Sequence, residues 1–393
     1  MNFEGLIADH VRDIPSSPIR KFFDVVNEMD GAISLGIGEP DFVTPWHIRE
    51  AAVQSIQNGE TAYTSNAGTV ELRKQISAYL KRRYQLDYSY KDQIIVTVGA
   101  SEAIDLVLRA VINPGDEVIV PDPSYVSYMP NVQLVHGITV PLPTYAQDEF
   151  RITPENLKKA ITGKTKVLIL PYPNNPTGAI MEKKDLEAIA EVLKDTNIIV
   201  LADEIYSELT YDGQHCSMVQ IPEMRERTVL INGFSKAFAM TGWRVGYLAA
   251  DPELIKTIYK IHQYCIMCVS TMSQAAATEA LRSNLENNFE DVEGMRRAYD
   301  MRRRYILKTF LDMGLECFEP KGAFYVFPCI KSTGLTSDEF CNRLLSEYKV
   351  AVVPGNSFGS SGEGYVRCSY AASMNNIKEA TYRIGEFIKR NKR

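Results

Sequence analysis

The chain has 393 residues, 45% of them hydrophobic and 23% charged. That is the composition of a soluble globular protein, and the length implies two domains rather than one core. A formal net charge of −6 with no compensating basic cluster excludes a general nucleic-acid binder, and the Arg296-Arg297 and Arg302-Arg303-Arg304 runs read as a solvated helix face.

The opening MNFEGLIADH has no apolar leader core, and no apolar run is long enough to span a bilayer, so a cytoplasmic protein without a membrane partner is expected. Seven scattered cysteines read as free thiols of a reducing compartment. Cys265 and Cys268 form a C-x-x-C, but no second pair follows at zinc-ribbon spacing. Their surroundings are apolar, which points to core packing. The five histidines show no H-E-x-x-H spacing, and no metal site is expected.

In chain order, short apolar runs at 94–98, 118–120, 167–170, 198–202, 229–231 and 245–249 alternate with helical segments. Runs apolar at successive positions read as strands buried on both faces, so the fold class is α/β, a mostly parallel sheet covered by helices. The first run leads into GASEAIDLVLRAV (99–111), a helix with Ile104, Val107, Leu108 and Val111 on one face. From about residue 284 the texture changes to a charged helix over 286–310, short strands at 315–319 and 324–327, a helix at 337–348, more strand, and a terminal helix from Met374. This reads as a smaller α+β domain completed by residues near 33–35. The expected division is 1–45 (arm and part of the small domain), 46–284 (large domain) and 285–393 (small domain). SFGSSGEGYV (357–366) lacks the strand-then-helix context of a phosphate loop and reads as a mobile loop.

Ligands of such sheets gather at the carboxyl ends of the strands, and five of these ends carry unusual residues: 99–101, 123–125, 174–178, 203–206 and 235–236. Free N–H groups at Ala100 and Ser101 in a first helical turn favour an anion such as phosphate, although Ser101 alone would serve equally as an N-cap. Asp203 either caps the next helix or meets a cation, which a protonated pyridine nitrogen would supply. Tyr206 could donate to a ring phenolate oxygen. NNPTG (174–178) is a rigid turn that either stays only a turn or presents the Asn175 amide to a ring oxygen or a substrate carboxylate. Tyr125 offers a flat face for stacking. In SKAFAMTGWRVGY (235–247), apolar neighbours desolvate Lys236 and make its amine a nucleophile toward a carbonyl, while Arg244 can hold a phosphate. Together they point to a Schiff-base enzyme using pyridoxal 5'-phosphate.

NNPTGA, ADEIY, FSKAFAMTGWRVGY, VTVGASEAI, GEPDF, YTSNAG, PKGAFYVFP and GYVRCSYA with its Arg367 jointly resemble the fold-type I, class I and II aminotransferases. The resemblance runs over nearly the whole chain from Ile33 onward, within the large subgroup that holds many bacterial aspartate and aromatic aminotransferases. It implies a homodimeric, pyridoxal-phosphate-dependent aminotransferase that moves an amino group from an L-amino acid to a 2-oxo acid, expected to be 2-oxoglutarate, by a ping-pong cycle. Lys236 is thereby implied to form the internal aldimine and to shuttle the proton between the substrate's α-carbon and the cofactor's C4′. Asp203 would pair with the pyridine nitrogen, Tyr206 and Asn175 with the ring oxygen, and Tyr125 would stack on the ring. Ala100, Ser101, Ser235 and Arg244 would hold the phosphate, joined by Tyr63 from the partner subunit. Arg367, with Asn175 and the backbone of Gly38, would clamp the substrate α-carboxylate.

Gly233 departs from the family pattern, which often has a serine there, and leaves one phosphate hydrogen bond for Ser235 and Arg244 to compensate. Alternation over 365–369 puts Tyr365, Arg367 and Ser369 on one face and turns Val366 and Cys368 to the core. A β-lyase on the same fold is the second reading. A ligand-sensing regulator is the third, but the stretch before Ile33 leaves no room for the DNA-binding domain such proteins carry. The amino donor stays open among aspartate, aromatic, alanine and N-acylated diamino acids, and Arg12 and Arg20 stay open as pocket-wall or surface residues.

Overall fold

The computed structural model describes residues 3–16 and 29–391; Arg20 lies outside them. The strands are β1 (Ile33–Ser34), β2 (Ile94–Thr97), β3 (Glu117–Asp122), β4 (Ile138–Pro143), β5 (Thr165–Leu170), β6 (Ile199–Asp203), β7 (Thr228–Gly233), β8 (Gly246–Ala249), β9 (Tyr325–Val326), β10 (Val350–Ala351), β11 (Val353–Pro354) and β12 (Val366–Ser369). Seven of them form one sheet in the order β2-β8-β7-β6-β5-β3-β4. Only β8 runs against the others, so the carboxyl ends of β2, β3, β5, β6 and β7 share one rim.

Neighbouring residues of each strand serve opposite layers. Ile94, Val96 and Leu230 pack with helices Val70–Tyr84 and Thr271–Glu286, whereas Ile95, Val229 and Ile231 pack with helices Gly99–Val111 and Pro252–Cys265. With most of these side chains fully buried, each contributing about 1.5–3 kcal/mol, the rim is carried on a stiff platform. Local signals place the helices around it. Gly99 turns the chain at φ +74° directly after β2, and Asp251 caps a helix that opens with Pro252. Thr336 and Glu339 form a reciprocal capping box.

A second set of short strands lies beside the sheet. β1 pairs in parallel with β10, and β12 lies between β11 and β9, antiparallel to both. Their core joins Leu35 to Phe310, Tyr325, Val366, Cys368 and Phe387, so β1 and Leu35 pack with the C-terminal strands.

Several expectations are corrected. β4 was not foreseen: it is an edge strand paired only with β3, half-exposed, and contains two prolines, which edge positions tolerate. The charged helix expected over 286–310 is the helix Glu290–Asp312, which starts four residues later because Asn288 and Phe289 take positive φ and separate it from the helix Thr271–Glu286. The strand at 315–319 reduces to one bridge between Cys317 and Pro328. Arg303 is not solvated but 2% exposed, held by Asp300 and the Pro320 carbonyl. Cys265 is exposed rather than packed in the core. Residues 357–364, expected as a mobile loop, form two short turns seated on Asp122. Among the described residues, no helix is long and apolar enough to cross a membrane, and no His/Cys/Asp/Glu cluster could hold a metal ion.

Candidate active site

The rim encloses a cavity of about 680 Å³. Lys236 enters it three residues after β7, where Phe234 and Ala237 are buried to either side. Its Nζ donates to the Gly38 carbonyl at 2.6 Å and lies 5.7 and 5.6 Å from the ring centroids of Tyr206 and Phe324. Burial in this surround, aided by the Arg367 and Arg244 charges, lowers its pKa to about 8. Near neutral pH the amine is therefore neutral in a minor fraction, far larger than for a solvated lysine.

Asp203 ends β6 and is 5% exposed. Burial raises its pKa to about 6, opposed by hydrogen bonds that Tyr128 Oη donates at 2.8 Å and the Ile205 N–H at 3.2 Å. The second bond closes the turn after β6, but the short helix that follows (Ser207–Leu209) has Tyr206 as its N-cap and no side-chain cap bond, so Asp203 does not cap the next helix. No cation lies within ion-pair distance of Asp203 among the described residues, so the carboxylate remains open to a cationic ligand atom. Tyr206 Oη shares a 2.8 Å hydrogen bond with Tyr325 Oη.

At the β2 end, helix Gly99–Val111 starts with Val98 as its cap residue, so Ser101 lies inside the first turn and is not the N-cap. Arg244 lies against this turn. A Cβ at Gly99 would come within 2.6 Å of its guanidinium, and one at Gly246 within 2.6 Å of the Ala100 nitrogen. Arg244 Nη1 donates to the Thr241 carbonyl at 3.0 Å, and among the described residues no carboxylate pairs with it. Free N–H groups, a helix dipole and an unpaired guanidinium make an anion seat. Gly233 now has a physical account: it pairs with Gly246 across β7 and β8, and a Cβ there would lie 2.9 Å from Gly246 Cα. The missing side chain is the condition for this close contact, which also brings β8 against the helix start.

Arg367 reaches the cavity from β12 and is 2% exposed. Nη1 donates to Asn175 Oδ1 at 2.9 Å and Nη2 to the Gly36 carbonyl at 2.6 Å, while Nε is buried without a partner. Because a guanidinium only donates, Asn175 must turn its oxygen to Arg367 and its NH₂ away. Burial lowers the Arg367 pKa, and no carboxylate neutralises it among the described residues. A buried cation of this kind fits an anionic ligand group.

Gly38, Ala100, Ser101, Tyr125, Asn175, Asp203, Tyr206, Ser235, Lys236, Arg244 and Arg367 thus all line one cavity. Tyr63 does not; it is 82% exposed on the surface of the chain. Tyr128 and Tyr325 were missed, although both lie in tyrosine-bearing motifs beside predicted residues. Their hydrogen bonds to Asp203 and Tyr206 give them a place in the site.

The sequence pattern of the family described as "Aminotransferase class I and II" matches residues 30–384. The chain is 46% identical over 387 residues to the aspartate aminotransferase of Pyrococcus abyssi, covering 98% of this chain and 99% of that one. It is 44% identical over 387 residues, with the same coverage, to aromatic-amino-acid aminotransferase 2 of Thermococcus litoralis. The structure of Thermus thermophilus aspartate aminotransferase with maleate superposes with a TM-score of 0.92 at 37% identity, over 97% of this chain and 99% of that one.

The residues present fit pyridoxal phosphate. An amine of lowered pKa suits its aldehyde, a buried unpaired carboxylate its pyridinium, and the Arg244 seat its phosphate. With the matching pattern spanning nearly the whole chain, the protein belongs to the class I and II aminotransferases, fold-type I enzymes that depend on pyridoxal phosphate.

Proposed function

We propose that this aminotransferase transfers the amino group of an L-amino acid to 2-oxoglutarate in two half-reactions of a ping-pong cycle. The observation that carries this reading is the buried Arg367 cation, without a counter-ion among the described residues, facing the same cavity as the Lys236 amine. A substrate carboxylate on Arg367, aided by the freed Asn175 NH₂ and the Gly38 backbone, would bring the adjacent α-carbon toward Lys236. That amine, which also provides the covalent attachment of the cofactor, moves the α-proton.

When bound, pyridoxal phosphate supplies the electron sink. Asp203 would hold its pyridine nitrogen protonated, Tyr206 and Asn175 would donate to its ring oxygen, and Tyr125 would cover its face. Ala100, Ser101, Ser235 and Arg244 would hold the phosphate, with Tyr63 of the partner subunit completing the seat in a homodimer. The exposure of Tyr63 in the single chain, together with that of Val43, Trp46, Val53, Ile56 and Tyr264, supports a shared interface. A division at 1–45, 46–284 and 285–393 and a cytoplasmic location belong to the same reading.

The deciding assay incubates the loaded enzyme with single amino donors, with and without 2-oxoglutarate. Glutamate formed in step with the donor's oxo acid supports transamination. Pyruvate released without any added oxo acid would make the protein a β-lyase instead. A panel of aspartate, aromatic, alanine and N-acylated diamino acid donors, ranked by kcat/KM, identifies the physiological class.

A further inference from the structure

Residues 357–364 carry no part of the chemistry above, yet they are fixed to the platform by one buried carboxylate. Asp122 ends β3 and is 2% exposed. Its Oδ2 accepts from the Ser360 N–H at 3.1 Å and the Ser360 hydroxyl at 3.0 Å, and its Oδ1 accepts from the Ser361 N–H at 3.1 Å. The Ser124 N–H adds a bond to the Phe358 carbonyl at 2.9 Å. Gly359 makes the approach possible. It takes φ +132°, and any Cβ there would overlap the Asp122 carboxylate.

Both ends of this grip lead into the cavity. Phe358, one residue before Gly359, lies with its ring centroid 4.7 Å from Arg367 Cζ, while the Tyr325 centroid lies 4.5 Å from the same atom. The guanidinium thus lies against two aromatic rings and is bonded to Asn175 and Gly36. On the other side, Ser124 immediately precedes Tyr125. Burial raises the Asp122 pKa, and the Ser360 and Ser361 bonds oppose that rise.

We propose that Asp122 is a positioning residue of the carboxylate seat: by gripping the 359–361 turn it holds Phe358 against Arg367 and so sets the affinity for substrate carboxylates. The inference rests on the reading of Arg367 as the α-carboxylate clamp. It assigns Asp122 no contact with substrate or cofactor.

Asp122→Asn is the primary test. An amide offers one acceptor oxygen where two are used, so its NH₂ must face the N–H of Ser360 or Ser361, whichever way it turns. In the loaded enzyme, the Kd for maleate and for 3-phenylpropionate should both rise about tenfold or more. KM for donor and oxo acid should rise with them, while kcat at saturation and cofactor absorbance change little. Ser360→Ala, which removes one bond from the opposite side, should raise the same Kd values roughly threefold. The double variant should bind no more weakly than Asp122→Asn alone, because both changes break one contact.

Arg367→Lys runs in parallel as the control on the underlying reading. If that variant loses carboxylate affinity while Asp122→Asn and Ser360→Ala keep theirs, the positioning role is overturned and the clamp survives. If Arg367→Lys itself keeps full affinity, the clamp reading fails. Should Asp122→Asn not fold, Ser360→Ala and Phe358→Leu decide, and unchanged maleate binding in both overturns the proposal.

Discussion

The cavity contains two anion seats built on opposite plans. At 99–101 the seat is largely backbone, the first turn of a helix with the exposed Arg244 laid against it. At Arg367 it is one buried side chain flanked by a carbonyl, an amide and two aromatic rings. On the proposed assignment the first would spread a doubly charged group over many donors near water, where each contact is screened. The second would meet a single charge in a desolvated place, where one fork counts for more. A permanently held group would thus be secured by number and geometry, and an exchangeable substrate by one cation left uncompensated until the substrate arrives.

The buried seat should break hardest. Arg367→Lys replaces a planar two-bond fork by a point charge and should weaken all amino-acid and oxo-acid ligands together by about 2–5 kcal/mol, with cofactor absorbance intact. Titration of each ligand class checks this, and a loss confined to one class would make Arg367 a reader of side chains. Asp203→Asn keeps the shape but not the charge. Turnover should fall by about 10²-fold, at ~1.4 kcal/mol per decade, with a smaller loss of cofactor occupancy; unchanged turnover would leave Asp203 with a structural part only.

A smaller effect sharpens the comparison across subunits. Hybrids of a Tyr63→Phe chain with a Lys236→Ala chain carry one site intact at both positions, so they should be more active than the Tyr63→Phe homodimer. Hybrids no more active than the Tyr63→Phe homodimer would refute a site shared between subunits. The mildest test changes no residue. Because burial lowers the Lys236 pKa to about 8, the neutral amine increases as pH rises through that value. Imine formation between the cofactor-free protein and pyridoxal, which lacks the phosphate, should be half-maximal there. A midpoint near ~10.4, the value of a solvated lysine, would show that the amine is not desolvated.

The rim was legible because each of its motifs is continuous with a buried strand: Asp203 ends β6, and Lys236 follows β7 by three residues. Arg367 was named from the family resemblance, and strand alternation gave only the side its guanidinium takes; Val366 and Cys368 do face the core. What escaped were pairings across the chain. Tyr128 meets Asp203 over 75 residues, Tyr206 meets Tyr325 over 119, and Asp122 meets Ser360 over 238. No local period encodes such partners, and a glycine-serine stretch looks mobile until the carboxylate that gathers it is in view. The missed strand β4 failed for a different reason, since a half-exposed edge with prolines lacks the apolar run that marked the other strands.

The most direct test of two separate seats crosses two variants with two ligands. Binding of pyridoxal phosphate to the cofactor-free protein, and of maleate to the loaded enzyme, is measured for Arg244→Gln and Arg367→Lys. The account predicts that Arg244→Gln weakens pyridoxal phosphate about tenfold and leaves maleate nearly unchanged, while Arg367→Lys does the reverse. Equal losses of both ligands in both variants would contradict it, because the two arginines would then serve one undivided field.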